Sequence, residues 1–332
     1  MKEGKDAMLD MDEIKAKLRG PAALVSTIFK DDYSLDAAAI ERNVRFMAER
    51  GIGKRCGFVI APCGDGEYVT LSPDEHADVV KAAVRGSDGT TPVVAGVATN
   101  DYRLATSLAQ RARDAGAIAI MFPPPFYYPL NEDAIVDWYE RLTRSVDIGI
   151  MVYDQSWRGS FVNACITVRC MDRLVALRNV LSMKHSGLSA LIDEFSILDR
   201  YHDRIAYIDS SAGYAATTAH MHGAAGFITG IAPWWPEYEL EYWDLLQAGK
   251  YLEAERHHAR LFPFVARFHH GAEPGTIQGF SSITVLKAAL EYVGLAGGTV
   301  RPPFRRLNPA ERGEVFQLLA AAGVPRPLLQ PV

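Results

Sequence analysis

Lys184 closes the apolar run "VLSMK" (Val180–Lys184), and an amine at the end of an otherwise buried strand is the first residue able to do chemistry. Drawn out of water, a lysine loses solvation, which disfavours its charged form and lowers its pKa. A neutral amine adds to carbonyl carbons and forms Schiff bases. The structural alternative is a lysine that snorkels out of the strand end to a carboxylate. Tyr153 closes the preceding apolar run, "IGIMVY". A phenol beside such an amine can shuttle protons; otherwise it is a rim tyrosine. Arg158, five residues later, has the bidentate fork that clamps a carboxylate, or is a surface-loop arginine.

Other candidates sit in similar places. "APCGDGE" sets Gly64 and Gly66 around Asp65, and glycines let backbone amides approach an anion. Asp65 could be an acid or a base there, and Glu67 could hold the loop; a simple turn is the alternative. "PPPFYYP" offers Tyr127 and Tyr128, for catalysis, rim packing or subunit contact. "DSSAG" presents Ser211 as a substrate contact, and Trp234–Trp235 in "TGIAPWW" either wall a pocket or pack. His185 points to the side opposite Lys184 if the strand continues. His257, His258, His269 and His270 read as surface or core residues, and no Ser-His-Asp arrangement appears.

These candidates lie at the ends of short apolar runs. The runs are Ala22–Phe29, Gly57–Ala61, Pro92–Val97, Ala117–Phe122, Ile148–Tyr153, Val180–Lys184, Ile205–Asp209 and Ala225–Gly230. None alternates cleanly, as expected of strands buried on both faces. Amphipathic helical patterns separate them: Leu35–Arg50; Ser72–Gly86, with a Ser72 cap, Pro73 and Glu75; Asp101–Gly116; and one opening at Asn131. Eight such steps predict an α/β fold, a (β/α)8 TIM barrel, whose active site lies at the C-terminal strand ends. A doubly wound open sheet is the rival, weakened because no GxGxxG follows the first strand. After the eighth strand only helical patterns remain. The expected organisation is an N-terminal extension (1–20), a catalytic barrel (21–235) and a C-terminal helical region (236–332).

Composition narrows the function. The chain has 332 residues and a formal charge of −5 with mixed signs, so neither a nucleic-acid footprint nor a polybasic membrane patch is present. No apolar run approaches the ~20 residues of a membrane span. The charged N-terminal stretch has no apolar h-region, and the four cysteines (56, 63, 165 and 170) show no metal spacing. A cytoplasmic protein with reduced thiols is expected.

Four segments resemble the dihydrodipicolinate synthase and N-acetylneuraminate lyase family of class I, Schiff-base lyases, over roughly Gly20 to Leu295. "VLSMK" resembles the Schiff-base lysine strand. "VYDQSWRG" resembles "YNxPxRxG", and "PFYYP" resembles "PYYYP". "CGDGEYVTLSPDEH" resembles "GTTGExxTLxxxEH", with Gly66, Glu67, Thr70 and Leu71 in register. The resemblance implies a (β/α)8 barrel with C-terminal helices, assembled as a homotetramer or dimer. It implies Lys184 as the imine-forming residue, Tyr153 as proton shuttle and Arg158 as carboxylate contact. Tyr127 would reach toward a neighbouring active site, and Ile228 would lie near pyruvate.

The departures from the family pattern are specific. Gly64 and Asp65 replace two hydroxyl residues that, in the synthase, bind the pyruvoyl carboxylate and relay protons. Ser156 replaces a proline, Gly159 comes one residue early, and His185 follows the lysine. "GDGE" is closer to the "GTGE" of the 5-dehydro-4-deoxyglucarate dehydratase branch. The implied function is a lyase that forms a lysine Schiff base with a 2-oxo acid, as a pyruvate-type aldolase or keto-deoxy sugar acid dehydratase. Lys184 supplies the electron sink, so no metal or organic cofactor is expected. The alternatives are true dihydrodipicolinate synthesis from pyruvate and aspartate semialdehyde, and a non-catalytic 2-oxo acid binder.

Overall fold

A short run of apolar residues is stable as a strand only where neighbours cover both of its faces. Eight such runs cover one another here: β1 (Gly20–Leu24), β2 (Phe58–Ile60), β3 (Val93–Gly96), β4 (Ala119–Phe122), β5 (Gly149–Asp154), β6 (Val180–His185), β7 (Ala206–Asp209) and β8 (Gly226–Thr229). The computed structural model describes residues 10–126, 129–154, 166–185, 191–211, 215–268 and 282–326. Every neighbouring pair is parallel, and β8 returns to β1 from Gly20↔Gly226 to Ala23↔Thr229. That closing pair makes the sheet a barrel and removes the open-sheet alternative.

Most strand ends fall within a residue or two of expectation, and the differences at β1, β5 and β6 bear on the mouth. β1 stops at Leu24 instead of running to Phe29, because the chain turns away over the mouth: Thr27 donates to Gly66 O, and Phe29 bridges to Leu35 and Thr299. β5 and β6 each run one residue further, to Asp154 and His185.

The helices that follow the strands are α2 (Ala37–Glu49), α3 (Pro73–Ser87), α4 (Tyr102–Ala115), α5 (Glu132–Ser145), α6 (Val168–Leu174), α7 (Leu191–Tyr201) and α8 (Ala216–Met221). Local sequence sets their ends. Ser72 and Glu75 form a reciprocal capping box on α3, Asn131 caps α5, and Gly116 ends α4 at φ 102°. Ahead of them, α1 (Met11–Lys17) lies within the expected N-terminal extension. With Leu18, its Met11 and Ile14 join the cluster formed by Leu24, Phe58, Ile60, Met121, Met151 and Ile208 inside the barrel. That cluster fills the barrel, so chemistry is confined to its open end.

After β8 come α9 (Pro236–Gln247), α10 (Tyr251–Ala259), α11 (Phe262–Phe268), α12 (Ser282–Tyr292) and α13 (Pro309–Ala321). Trp234 is buried among them, its ring 5.7 Å from that of Phe264, so it packs the helical region. His257 stacks on Tyr238 at 4.0 Å, and it and His258 are core residues. Among the described residues no helix is long and apolar enough to cross a membrane.

Candidate active site

Tyr153 and Lys184 end neighbouring strands, and a β-bulge decides that they face each other. β5 and β6 pair as Ile150↔Val180 but then as Met151↔Ser182, leaving Leu181 as an extra residue on β6. Beyond the bulge Tyr153 is opposite Lys184, and Asp154 is opposite His185. Ser182 secures the bulged strand from its other side, donating to Ala206 O at 2.6 Å. In the result, Lys184 Nζ stands 4.1 Å from the centroid of the Tyr153 ring, with each residue only 7% exposed. A cation over an aromatic face is attracted by the ring quadrupole. The contact therefore holds the amine against the residue expected to exchange protons with its adduct.

Ile228 belongs to the same inner cluster as Tyr153, and Ile208 stands beside Lys184 on β7. The strand-two turn joins them through Cys63, which is fully buried in that cluster. Burial pushes the Cys63 thiol up to about 12; the Asp65 carboxylate adds to the rise and the Lys184 ammonium opposes it. Both charges thus act on one sulfur at the floor of the mouth.

Gly64–Gly66 form a 3-10 turn, in which Gly64 is exposed, Asp65 half-buried and Gly66 buried. A Cβ on Gly66 would stand 2.6 Å from Val25 O, so only glycine fits between this turn and the end of β1. Glu67, at φ 55°, is fully buried and holds the loop, as expected. Its carboxylate accepts from Lys287 Nζ at 2.5 Å and from Arg301 N at 2.9 Å, while Arg301 also binds Glu75 and the carbonyls of Tyr33 and Thr70. Burial pushes Lys287 down, and the charge of Glu67 opposes the shift.

Ser211 is placed by its own loop. Its hydroxyl donates to Asp209 Oδ2 at 2.8 Å and accepts from Ala215 N at 2.8 Å, bridging the end of β7 to the start of α8. Tyr127 and Arg158 lie outside the described residues, as do Tyr128 and the loop from Gln155 to Ser160.

Three features were not read from the sequence: the Thr27 contact with the strand-two turn, the Lys287 partner of Glu67, and a hydrogen bond between His185 and Asp154. The apolar run Ala22–Phe29 hides Thr27 within an expected strand, and Lys287 is 220 residues from Glu67. The third had a signal: "YD" and "KH" occupy matching positions at two adjacent parallel strand ends. Among the described residues no three His, Cys, Asp or Glu side chains gather as a metal site would require.

Comparison with known proteins bears on the fold and the family. Residues 17–322 match the model of the dihydrodipicolinate synthetase family. A 4-hydroxy-tetrahydrodipicolinate synthase of Methanothrix thermoacetophila is 28% identical over 302 residues, covering 91% of this chain and 96% of that one. A probable 5-dehydro-4-deoxyglucarate dehydratase of Ralstonia nicotianae is 27% identical over 297 residues, covering 89% and 90%. Among solved structures, dihydrodipicolinate synthase from Aquifex aeolicus superposes with TM-score 0.80 at 21% identity, over 93% of this chain and 99% of that one. YagE from Escherichia coli K12, solved in complex with pyruvate, superposes with TM-score 0.80 at 18% identity, over 92% and 99%. The chain belongs to the dihydrodipicolinate synthetase family and is a lyase of that family.

Proposed function

We propose that this lyase acts on a 2-oxo acid through a Schiff base on Lys184. The observation that carries the reading is the 4.1 Å approach of Lys184 Nζ to the Tyr153 ring at the barrel mouth. The amine attacks the C2 ketone, and loss of water leaves an iminium, an electron sink beside C3. A base then removes a C3 proton, or the C3–C4 bond breaks, and either route gives an enamine. In the dehydratase direction the enamine expels the C4 hydroxyl, which departs with a proton as water and leaves a C3–C4 double bond. In the aldolase direction the C4 hydroxyl loses its proton as C3–C4 breaks, releasing an aldehyde, and C3 is reprotonated. Water then hydrolyses the iminium and frees Lys184. No other electron sink is required, so the reaction needs neither a metal nor an organic cofactor.

Tyr153 carries the proton in both directions, while Arg158 and the amides near Gly64 hold the carboxylate. Ile228 forms the apolar wall and Ser211 shapes its β7 side; the family resemblance supports Tyr127 as the tyrosine that acts toward a neighbouring active site. Asp65 helps expel or protonate the leaving hydroxyl; its place beside Cys63, which also feels Lys184, supports that role. The likeness to a probable dehydratase and the "GDGE" turn favour dehydration of a keto-deoxy sugar acid. The likeness to the Methanothrix synthase favours the alternative, enamine addition to an aldehyde. The family resemblance supports assembly as a homotetramer or dimer. Free thiols at Cys56, Cys63 and Cys170 support a reducing, cytoplasmic setting.

The deciding experiment is intact mass after incubation with pyruvate and borohydride, with peptide mapping. A reduced pyruvyl adduct on Lys184, absent in Lys184→Ala, is expected. Turnover of 4-hydroxy-2-oxo acids then separates pyruvate release from dehydration. Folded protein that forms no adduct with pyruvate or with longer 2-oxo acids would overturn the reading.

A further inference from the structure

Immediately beyond Tyr153 and Lys184, the outward face of the same two strands carries a second pair. His185 Nε2 lies 2.9 Å from Asp154 Oδ2, and their side chains are only 3% and 2% exposed. The pair sits under the helical shell: the His185 ring is 6.2 Å from that of Tyr207, and the charge of Asp154 reaches Tyr139 and Cys170. Elsewhere on this outward face the strands present apolar residues such as Val152 and Met183. A buried polar pair adds little stability over an apolar one, and its best-attested use is to select one register.

The register here has a competitor. Without the extra residue at Leu181, Met183 would stand opposite Tyr153 and Asp154 opposite Lys184. Because side chains alternate along a strand, that slip would turn the amine out of the barrel toward a carboxylate. The Asp154–His185 hydrogen bond belongs only to the bulged register. On the other side of β6, His185 is opposite Asp209, which is held by Ser211.

We propose that Asp154 and His185 are positioning residues that hold Tyr153 against Lys184 for proton transfer at C3. The inference rests on the imine chemistry proposed above, and its test separates the two. Pyruvate is the probe, with two readouts: borohydride trapping on Lys184, and exchange of the pyruvate methyl protons for deuterium in D2O. Asp154→Leu combined with His185→Phe keeps apolar bulk and removes the hydrogen bond without stranding either partner.

The double variant is expected to trap pyruvate, with methyl exchange per trapped adduct lowered by about tenfold to a hundredfold, as for a misplaced catalytic group. His185→Gln, which keeps a donor near the Nε2 position, is expected to retain most of the exchange. The positioning role is overturned if the double variant exchanges at the wild-type rate, or if His185→Gln loses as much as the double variant does. It is also overturned if the folded double variant traps no adduct, which would place the effect at the amine. Should the double variant not fold, His185→Gln against His185→Met reads the same ratio. Wild-type protein that traps neither pyruvate nor longer 2-oxo acids sinks the imine reading and this inference with it. Trapping by the wild type with unaffected variants sinks the inference alone.

Discussion

Glu67, on the turn after the second strand, and Lys287, on α12, form an ion pair of 2.5 Å with side chains 0% and 4% exposed. Lys287 also donates to Thr299 O, and Arg301 N donates to the other oxygen of Glu67. The C-terminal helical region therefore reaches into the barrel mouth and holds the turn that carries Asp65.

Removing one partner of this pair leaves the other charge buried. Lys287→Met is expected to cost about 3–5 kcal/mol of stability, the usual loss when a buried pair is broken from one side. Denaturant unfolding measures it. A loss no larger than that of an exposed charge would mean that the pair does not hold the loop.

Tyr153→Phe keeps the ring under Lys184 and removes the hydroxyl. Borohydride trapping of pyruvate should persist, while deuterium exchange at the pyruvate methyl falls by about 100- to 10,000-fold, the range for loss of a general acid or base. Mass spectrometry of the protein and proton NMR of pyruvate read the two steps separately.

Asp65→Asn preserves the shape of the turn and removes its ionisable group. Trapping of pyruvate is expected to stay at the wild-type level, and turnover of a 4-hydroxy-2-oxo acid to fall by about 100-fold. Unchanged turnover would assign the proton at C4 to another group.

Gly66→Ala tests the close approach of the turn to β1. The new Cβ would meet Val25 O at 2.6 Å and Thr27 Oγ1 at 3.3 Å. Overpacking of this kind costs about 1–3 kcal/mol. The melting temperature should drop, and activity should fall further than stability because Gly64 and Asp65 move with the turn.

Glu239 gives the fold a pH dependence of unusual sign. It is 2% exposed, and burial pushes its pKa up to about 8 from an ordinary 4.5, with the Thr229 hydroxyl opposing the rise. Below 4.5 both folded and unfolded chains carry the proton, so nothing is lost. Between 4.5 and about 8 the unfolded chain ionises while the folded one keeps its proton, so this residue lowers stability as pH rises. Glu239→Gln removes that slope. Unfolding midpoints of variant and wild type should differ more near pH 8 than near pH 5; equal differences would refute a neutral buried carboxyl.

Periodicity and local chemistry made most of this architecture legible without coordinates. Eight doubly apolar runs separated by amphipathic stretches admit few folds besides the barrel, because each run needs cover on both faces. Ser72, Glu75, Asn131 and Gly116 mark helix ends through bonds to their own neighbours, which is why they could be read locally. Lys184, Tyr153 and Asp65 were legible as residues of the mouth, because each stands at or near a strand's C-terminal end, whereas Ile228 came only from the family resemblance. The sequence alone therefore determined which residues could meet.

The tertiary structure decided how they meet. The bulge at Leu181 leaves no mark in the pattern of "VLSMKH", since one extra residue between two paired strands depends on the partner strand as well. Yet it sets Lys184, and not Met183, beside Tyr153. The Glu67–Lys287 pair and the Thr27 contact were likewise hidden, because each joins segments brought together only when the barrel closes and the tail folds back over its mouth. Side-chain types are written locally, whereas strand register and buried charge pairing are settled by the free energy of the whole fold.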